Sequence, residues 1–411
     1  MWVSDRRFPA SRRLLVTNLT PAKPTIGYCT NVHTGVDLDS ICKNLREFAV
    51  PARVASRQEE LGVGLWLPAE AAGQLSTGKS ESFRDFLAEY RLRPYTINGF
   101  PYDNFHQDIV KHRVYQPTWW EHERLDYTKQ LADVLAVLIG DEQPVGSIST
   151  LPIGWASDSG VSQSELDTAG ANFRELAAYL KELESRSGKR IVVAIEPEPG
   201  CILSTTTDVI DWFESQLPDA DHRRYIGVCH DVCHSAVMME PQATVIDRFA
   251  AAGIMIGKVQ VSSAIVADWD SMAIGRRREA IEQLKQFAED RYLHQTGRRT
   301  AEQAFELCED LPGLLSKVAE KSDPVWGDSR WVVHFHVPIF LERFGHLTTS
   351  QTDVLDCLKA ISRHRALEFT GHFEVETYAW TVLPESMRKR GLSEDIASEI
   401  RWLNEVLIES I

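Results

Sequence analysis

Short apolar runs alternate with long amphipathic stretches along most of this chain. Apolar runs of five or six residues are typical of strands buried on both faces, and the stretches between them have the periodicity of surface helices. Their alternation predicts a parallel α/β architecture. Nine segments are predicted to be strands: Ile26–Asn31, Gly62–Leu67, Pro94–Asn98, Gly146–Thr150, Ile191–Glu196, Ile226–Asp231, Ile256–Val261, Val332–Val337 and Phe373–Thr377. The main helices are predicted at Leu38–Ala49, Arg124–Ile139, Ser162–Ser187, Thr205–Gln216, Arg276–Ala288, Gln351–His364 and Ser393–Ile408, with Thr207 and Ser393 as candidate N-caps.

Nine strands are one more than a closed (β/α)8 barrel needs. Val332–Val337 follows a long charged insertion at about 264–330, so we predict that it is an extra strand or a loop over the barrel mouth. The predicted fold is α/β, a single (β/α)8 TIM barrel at 25–411 with long loop insertions at its C-terminal rim, after an N-terminal extension at 1–24. An open doubly wound sheet stays an alternative, because a sequence does not show closure.

Charge and composition restrict the partners and the compartment. The net charge of −15 disfavours nucleic acid and anionic membranes as partners, because both repel an acidic surface. No apolar run approaches the ~20 residues of a transmembrane helix. Seven cysteines, an odd number, do not suggest a disulfide framework. We therefore expect a cytoplasmic protein that acts on a small-molecule metabolite.

Polar residues are concentrated at the C-terminal ends of the predicted strands, where barrel active sites lie. Residues two apart share a strand face, and the polar pairs of this kind are Cys29 with Asn31, Thr96 with Asn98, Ser147 with Ser149, Cys229 with Asp231, Lys258 with Gln260, His334 with His336, and Glu374 with Glu376. Any one of them alone could be a hydrogen-bonded core group. Burying so many carboxylates together without a cation would cost too much, so the set predicts a metal-dependent site.

Two strings are the strongest single signals. Ile195–Gly200 (IEPEPG) brings Glu196 to the end of a strand and Glu198 into an irregular turn, although a solvated strand-ending turn is the alternative. Cys229–His234 (CHDVCH) places Asp231 on the inward face and His234 in the following turn, as an oxygen and nitrogen ligand pair. A structural zinc site is disfavoured there, because no second Cys/His pair follows at finger-like spacing.

The later pairs add further candidates. Gln260 offers a neutral oxygen ligand, and Lys258 could neutralise an enolate or a carboxylate. His334 and His336 could chelate one metal ion or be satisfied core histidines. The aromatic stretch from Phe100 to Trp120 is either a lid over a ligand or a packing cluster.

With these motifs, the chain resembles the xylose-isomerase-like barrels, which include sugar (phosphate) isomerases and epimerases. The resemblance rests on Glu196 before a proline, on Asp231 and His234 as D-x-x-H, and on Gly371 before Glu376. It implies that Glu196, Asp231, His234 and Glu376 bind one divalent ion, Mn, Mg, Co or Zn, and that the two glutamates exchange protons with the substrate. This sequence has Gln260 where the family usually has a histidine, which weakens a zinc-type site.

The chain also resembles the EboE-type proteins over nearly its whole length. This resemblance implies a metabolite-traffic protein encoded beside a prenyltransferase-like membrane protein. The matching strings are Gly27–His33, Thr96–Pro101, Glu196–Gly200, Lys258–Ser263, His334–Phe340 and Glu374–Tyr378.

The leading functional hypothesis is a metal-dependent isomerase or epimerase of a small hydroxy-carbonyl or sugar-like metabolite. The alternatives are a metal-dependent phosphoester hydrolase of the same barrel superfamily and a non-catalytic carrier of a metabolite. A homodimer is left open. The predicted catalytic residues are Glu196, Glu376, Lys258 and His234; the metal ligands are Glu196, Asp231, Gln260, Glu376 and His336; and the substrate-binding residues are Asn31, His33, Asn98, Glu198, His294, His334, Glu374 and Trp380.

Overall fold

The computed structural model describes residues 24–156, 160–318, 323–376, 380, 382–388 and 390–410. The predicted N-terminal extension lies outside the described residues, apart from Pro24. The strands are β1 Thr25–Cys29, β2 Leu61–Trp66, β3 Leu92–Asn98, β4 Val145–Thr150, β5 Arg190–Ile195, β6 Ile226–Asp231, β7 Ile256–Val261, β8 Ile265–Asp268, β9 Thr296–Arg299, β10 Phe305–Cys308, β11 Arg330–Val333, β12 Arg343–Phe344, β13 Leu347–Thr349 and β14 His372–Val375. The helices are α1 Leu38–Asn44, α2 Val50–Ala55, α3 Ala69–Gln74, α4 Ser80–Glu89, α5 His122–Leu138, α6 Gln163–Ser187, α7 Thr206–Gln216, α8 Ala220–Arg223, α9 Val232–Val237, α10 Gln242–Ala251, α11 Ile274–Leu284, α12 Leu311–Leu315, α13 Gln351–Arg363 and α14 Leu392–Ser410.

Eight parallel strands close into a barrel in the order β1-β14-β7-β6-β5-β4-β3-β2. The closure excludes the open doubly wound sheet, and the predicted (β/α)8 fold is confirmed. Several predicted strands are too long at their C-terminal ends, and in three of them the excess includes a candidate site residue: Asn31, Glu196 and Glu376 come just after β1, β5 and β14. These three side chains therefore lie on the rim of the barrel, just beyond the last hydrogen-bonded residues of their strands.

The principal core lies between the barrel strands and the surrounding helices, and β2, β5, β6 and β7 are buried along their whole length. Two capping predictions were wrong. Helix α7 is capped by Thr205, which forms a capping box with Asp208, and Thr207 lies inside the helix. Helix α14 begins at Leu392, so Ser393 lies within it, and its hydroxyl donates to the carbonyl of Phe48.

A second sheet has the order β10-β9-β11-β8-β13-β12 and lies outside the barrel. Its pairs are antiparallel, and it has a separate hydrophobic cluster that contains Trp269 and Trp331. The extra strand predicted at Val332–Val337 is only partly right: Val332 and Val333 end β11, which lies in the second sheet, whereas 334–337 has left the strand. His334 and His336 therefore lie on the segment that crosses the mouth and not on one face of a strand. The segment outside the barrel runs on to β13, beyond the predicted limit near residue 330. The predicted single-domain boundaries stay a prediction.

The chain that leaves β11 crosses the C-terminal ends of the barrel strands. The Val337 amide donates to the carbonyl of Ser263 at 3.0 Å, and His336 Nδ1 donates to the carbonyl of Glu376 at 3.0 Å. The second sheet is thereby tied to the ends of β7 and β14, and it brings two histidines to the barrel mouth. Among the described residues, no helix combines the length and the apolarity that crossing a bilayer requires.

Candidate metal centre

Three carboxylates meet at the C-terminal mouth of the barrel. Glu196 follows β5, Asp231 ends β6, and Glu376 follows β14. One oxygen from each lies within 4.8 Å of those from the other two, and all three residues are buried. Like charges this close cannot all be ionised in a buried site unless a cation compensates them.

The protonation states of these three acids differ. Burial raises the pKa of Glu196 to about 7, against the opposing effect of His234. Burial, followed by the charges of Glu196 and Asp231, raises the pKa of Glu376 well above its usual range. Burial also acts to raise the pKa of Asp231, but His234, His336 and two hydrogen bonds outweigh it, so this pKa is lowered. Asp231 is therefore the ionised member, and Glu196 titrates near neutral pH.

Several buried oxygens at this cluster accept no hydrogen bond from the described residues, among them one of Asp231 and one of Gln260. Asp231 Oδ1 accepts from the backbone amide of His234 and from Ser262 Oγ, both at 2.8 Å, whereas Asp231 Oδ2 accepts none. Gln260 Oε1 likewise accepts no hydrogen bond from the described residues, and Gln260 is only 1% exposed. Buried acceptors are normally satisfied, so these two oxygens indicate a place for a cation.

Glu376 is held by groups from both sides of the mouth. Asn31 Nδ2 donates to Glu376 Oε1 at 3.3 Å, and Cys29 Sγ lies 3.7 Å from the same oxygen. Glu374, two residues earlier, points below the cavity, so the structure places Glu376 and not Glu374 on its wall.

Three histidines lie beside the acids. His234 Nδ1 donates to the carbonyl of Pro197 at 2.8 Å, and His234 Nε2 lies 3.1 Å from His334 Nε2. His334 Nδ1 donates to Gln295 Oε1 at 2.7 Å, so in its neutral form its Nε2 is an acceptor. His234 is then the doubly protonated ring. The pKa values agree: burial lowers that of His334, whereas Asp231 and two glutamates outweigh burial and raise that of His234.

Glu198 adds a fourth acid on the same side. Tyr115 Oη donates to Glu198 Oε1 at 2.7 Å, and Gln295 Nε2 donates to it at 3.1 Å. One oxygen of Glu198 lies within 4.8 Å of ring nitrogens of His234 and His334, so these three residues form a second group with metal-ligand character.

The floor of the site is a buried ion pair. Lys258 Nζ lies 2.5 Å from Glu374 Oε2, and neither side chain is accessible to solvent. A Cβ built on Gly64 would overlap Glu374 Oε1, so only glycine leaves room for this carboxylate. Lys258 does not line the cavity, so it does not lie where we predicted that it would contact the substrate.

Four predicted substrate-binding residues do not line the cavity: Glu374, which pairs with Lys258 below it, and His33, His294 and Trp380. His33 Nε2 forms a 3.0 Å hydrogen bond with Tyr28 Oη, and its ring stacks on Phe48. Burial lowers the pKa of His33 to about 3. His294 stacks on Phe335, the residue between the two histidines of the mouth. Trp380 donates from Nε1 to Asp395. The remaining predicted substrate-binding residues that line the cavity are Asn31, Asn98, Glu198 and His334.

The cavity above the acids has a volume of about 70 Å³. Its acidic side faces a largely apolar wall formed by Phe100, Phe105, Val110, Val114, Tyr115, Tyr292 and Leu293. Five of these, including the aromatic residues Phe100, Phe105 and Tyr115, come from the stretch Phe100–Trp120, for which the sequence allowed either a lid or a packing cluster.

Two further residues at the site were not predicted. Gln295 connects His334 to Glu198, and Lys111 lies on the wall, where its Nζ pairs with Asp310 Oδ2 at 2.8 Å. Neither has a sequence signal: Gln295 lies in an irregular segment and Lys111 begins a short 3-10 helix, and only the fold brings these segments to the mouth.

Comparison with known proteins supports the fold. No protein-family model matches the chain, and no curated protein matches it. Similar solved structures include a xylose isomerase-like TIM barrel protein from Mycobacterium smegmatis in complex with magnesium, with 13% identity, a TM-score of 0.52, and coverage of 94% of this chain and 97% of that one. The probable 3-DHS dehydratase AsbF of Bacillus anthracis, involved in petrobactin synthesis, has 13% identity, a TM-score of 0.46, and coverage of 92% and 98%. The IOLI protein with a zinc atom has 10% identity, a TM-score of 0.46, and coverage of 94% and 99%. The likeness to the xylose isomerase-like barrel from Mycobacterium smegmatis supports the TIM-barrel fold, and the EboE-type resemblance stays a prediction.

Proposed function

We propose that this protein is a metal-dependent isomerase or epimerase that moves a proton on a small hydroxy-carbonyl or sugar-like metabolite. The observation that carries the proposal is the group of Glu196, Asp231 and Glu376, which are all buried and have oxygens within 4.8 Å of one another. Glu196 and Glu376 also line the cavity.

The residues present fit a divalent cation. Asp231 Oδ2 and Gln260 Oε1 are buried without a partner among the described residues, and carboxylate and amide oxygens are ligands for hard divalent ions. Glu196, Asp231, Gln260 and Glu376 would hold the ion. When bound, it supplies Lewis-acid polarisation of a carbonyl and its neighbouring hydroxyl.

The chain itself supplies the proton transfer. Burial raises the pKa of Glu196 to about 7, which suits a group that takes and returns a proton near neutral pH. Glu376 is the second acid, and Asn31 steadies its Oε1. The raised pKa of His234, after Asp231 and two glutamates outweigh burial, leaves a cation beside the acids to stabilise negative charge that develops on a substrate oxygen.

The cavity limits the ligand. About 70 Å³ corresponds to on the order of five water positions, which suits a small metabolite. The substrate would present its hydroxyl and carbonyl oxygens to the acids and an apolar edge to the aromatic wall. The sequence resemblance to EboE-type proteins also predicts a link to a membrane prenyltransferase-like partner. This link stays a prediction of the resemblance.

The first experiment is elemental analysis of protein purified without chelator, with a Glu196→Gln/Asp231→Asn variant as the comparison. We expect about one divalent ion per chain, lost in the variant. The metal-loaded protein is then incubated with a panel of hydroxy-ketones and aldoses in deuterated water. Deuterium at the carbon next to the carbonyl supports the proposal, and a loaded protein that exchanges none of the panel counts against it.

Metal-assisted phosphoester hydrolysis is a second candidate, favoured by the group of Glu198, His234 and His334. Their ligand atoms also lie within 4.8 Å of one another, beside the carboxylate group. Two or more ions per chain, with release of phosphate from a generic phosphodiester, would favour this function. No metal uptake at all would leave a metabolite-binding carrier.

A further inference from the structure

Gln260 stands where the family resemblance expects a histidine, and its amide has two possible orientations. One presents Oε1 to the carboxylates and the other presents the Nε2 donors, which a cation cannot use. Amide orientations follow from the hydrogen-bond network, so the neighbours of Gln260 decide which one holds.

The network begins at the buried ion pair of Lys258 and Glu374. Asn98 lies against both groups: its Oδ1 accepts from Lys258 Nζ at 2.7 Å, and its Nδ2 donates to Glu374 Oε1 at 3.0 Å. An ammonium only donates and a carboxylate only accepts, so the opposite orientation of Asn98 would lose both bonds. The ion pair therefore fixes Asn98.

Asn98 in turn fixes Gln260. Its Oδ1 also accepts from Gln260 Nε2 at 3.1 Å. With Nε2 bonded to Asn98, Gln260 Oε1 accepts no hydrogen bond from the described residues, and Gln260 lines the cavity together with Glu196 and Glu376. All members of this chain of contacts are at most 1% exposed, so water does not compete for these bonds.

We propose that Lys258, Glu374 and Asn98 are positioning residues that hold Gln260 Oε1 toward the carboxylates, giving a four-oxygen site that favours Mg²⁺ or Mn²⁺ relative to Zn²⁺. The inference rests on the proposed function only in requiring that the carboxylates bind a divalent ion. Carboxylate and carbonyl oxygens suit the harder ions, whereas imidazole nitrogen favours Zn²⁺.

The metal preference is tested by calorimetric titration of chelator-treated protein with MnCl2 and with ZnCl2. Zn²⁺ binds most sites more tightly than Mn²⁺, so the measured quantity is the change in the ratio of the two affinities. Gln260→His is expected to raise Zn²⁺ affinity at least about tenfold while Mn²⁺ affinity changes less than about threefold. An unchanged ratio overturns the inference.

The positioning role is tested with a double-mutant cycle. Asn98→Ala frees the amide and is expected to lower Mn²⁺ affinity about tenfold, as loss of an outer-shell partner does. In a Gln260→Glu background, Asn98→Ala should lower Mn²⁺ affinity less than about threefold, because a carboxylate offers an oxygen in either orientation. Equal losses in the two backgrounds mean that Asn98 has only a structural role, and they overturn the inference.

Ser147→Ala is the matched control. Ser147 lies on β4 inside the barrel, and its hydroxyl contacts Thr96 and His372 rather than the Gln260 network. It should leave both affinities unchanged. The proposed function fails separately: if the unsubstituted protein binds neither ion, both proposals fall, whereas binding with an unchanged ratio removes this inference alone.

Discussion

Glu196→Gln is expected to stabilise the metal-free protein above neutral pH while abolishing its response to metal. Burial raises the pKa of Glu196 to about 7, from an ordinary value of 4.5. Between these values the unfolded carboxyl has lost its proton and the folded one keeps it, so the folded state binds more protons. The free energy of unfolding therefore falls as pH rises from about 4.5 to about 7, and it stays low above that.

The difference between the two pKa values corresponds to about 3 kcal/mol at pH 8, since each pH unit is worth about 1.4 kcal/mol. Glutamine has nearly the same shape and does not titrate, so the variant escapes this loss. For 411 residues, an unfolding entropy of about 2.1 cal/mol/K per residue converts 3 kcal/mol into a Tm rise of about 3–4 °C.

The assay is thermal unfolding of chelator-treated protein at pH values from 4.5 to 8.5, for the wild type and Glu196→Gln. The gap in Tm should widen with pH up to neutrality and then level off. With saturating Mn²⁺ the order should reverse, because only the wild type gains stability from binding. Asp231→Asn is the control of opposite sign, since the pKa of Asp231 is lowered and its carboxylate stabilises the folded state above its usual titration range. A gap for Glu196→Gln that does not depend on pH would refute the reasoning.

Three further outcomes follow from the geometry. Gly64→Ala should destabilise the protein by several kcal/mol or prevent folding, because its Cβ would overlap the Glu374 carboxylate; soluble yield and the urea midpoint measure this. Trp380→Phe should leave metal affinity unchanged in the titration, since Trp380 lies away from the cavity; a tenfold loss would contradict this placement. Tyr115→Phe should lower stability by about 1–2 kcal/mol in urea unfolding, because it removes a 2.7 Å hydrogen bond to the buried Glu198; an unchanged urea midpoint would mean that this bond contributes nothing.

The barrel could be predicted from the sequence because its determinants are local. Buried parallel strands need continuous apolar runs, and the surface helices between them need a periodic stripe, so the order of elements can be read directly. The polar ends of the strands could be predicted for the same reason: Asp231 and Gln260 stand out where an apolar run should continue.

The tertiary structure alone decided how those polar residues divide into layers. Glu374 and Glu376 share a parity and look equivalent along the strand, but Glu374 pairs with Lys258 below the cavity and Glu376 lies on its wall. Only the closed barrel and Gly64 make room for that buried pair.

The same holds for the histidines. His33 and His334 both looked like site residues, yet His33 packs on Phe48 outside the cavity, whereas the second sheet carries His334 to His234. Sequence periodicity specifies which face of an element a side chain occupies. Which side chains meet across the mouth depends on the closure of the barrel and on the path of a long insertion, and these are set by contacts between residues far apart in the chain.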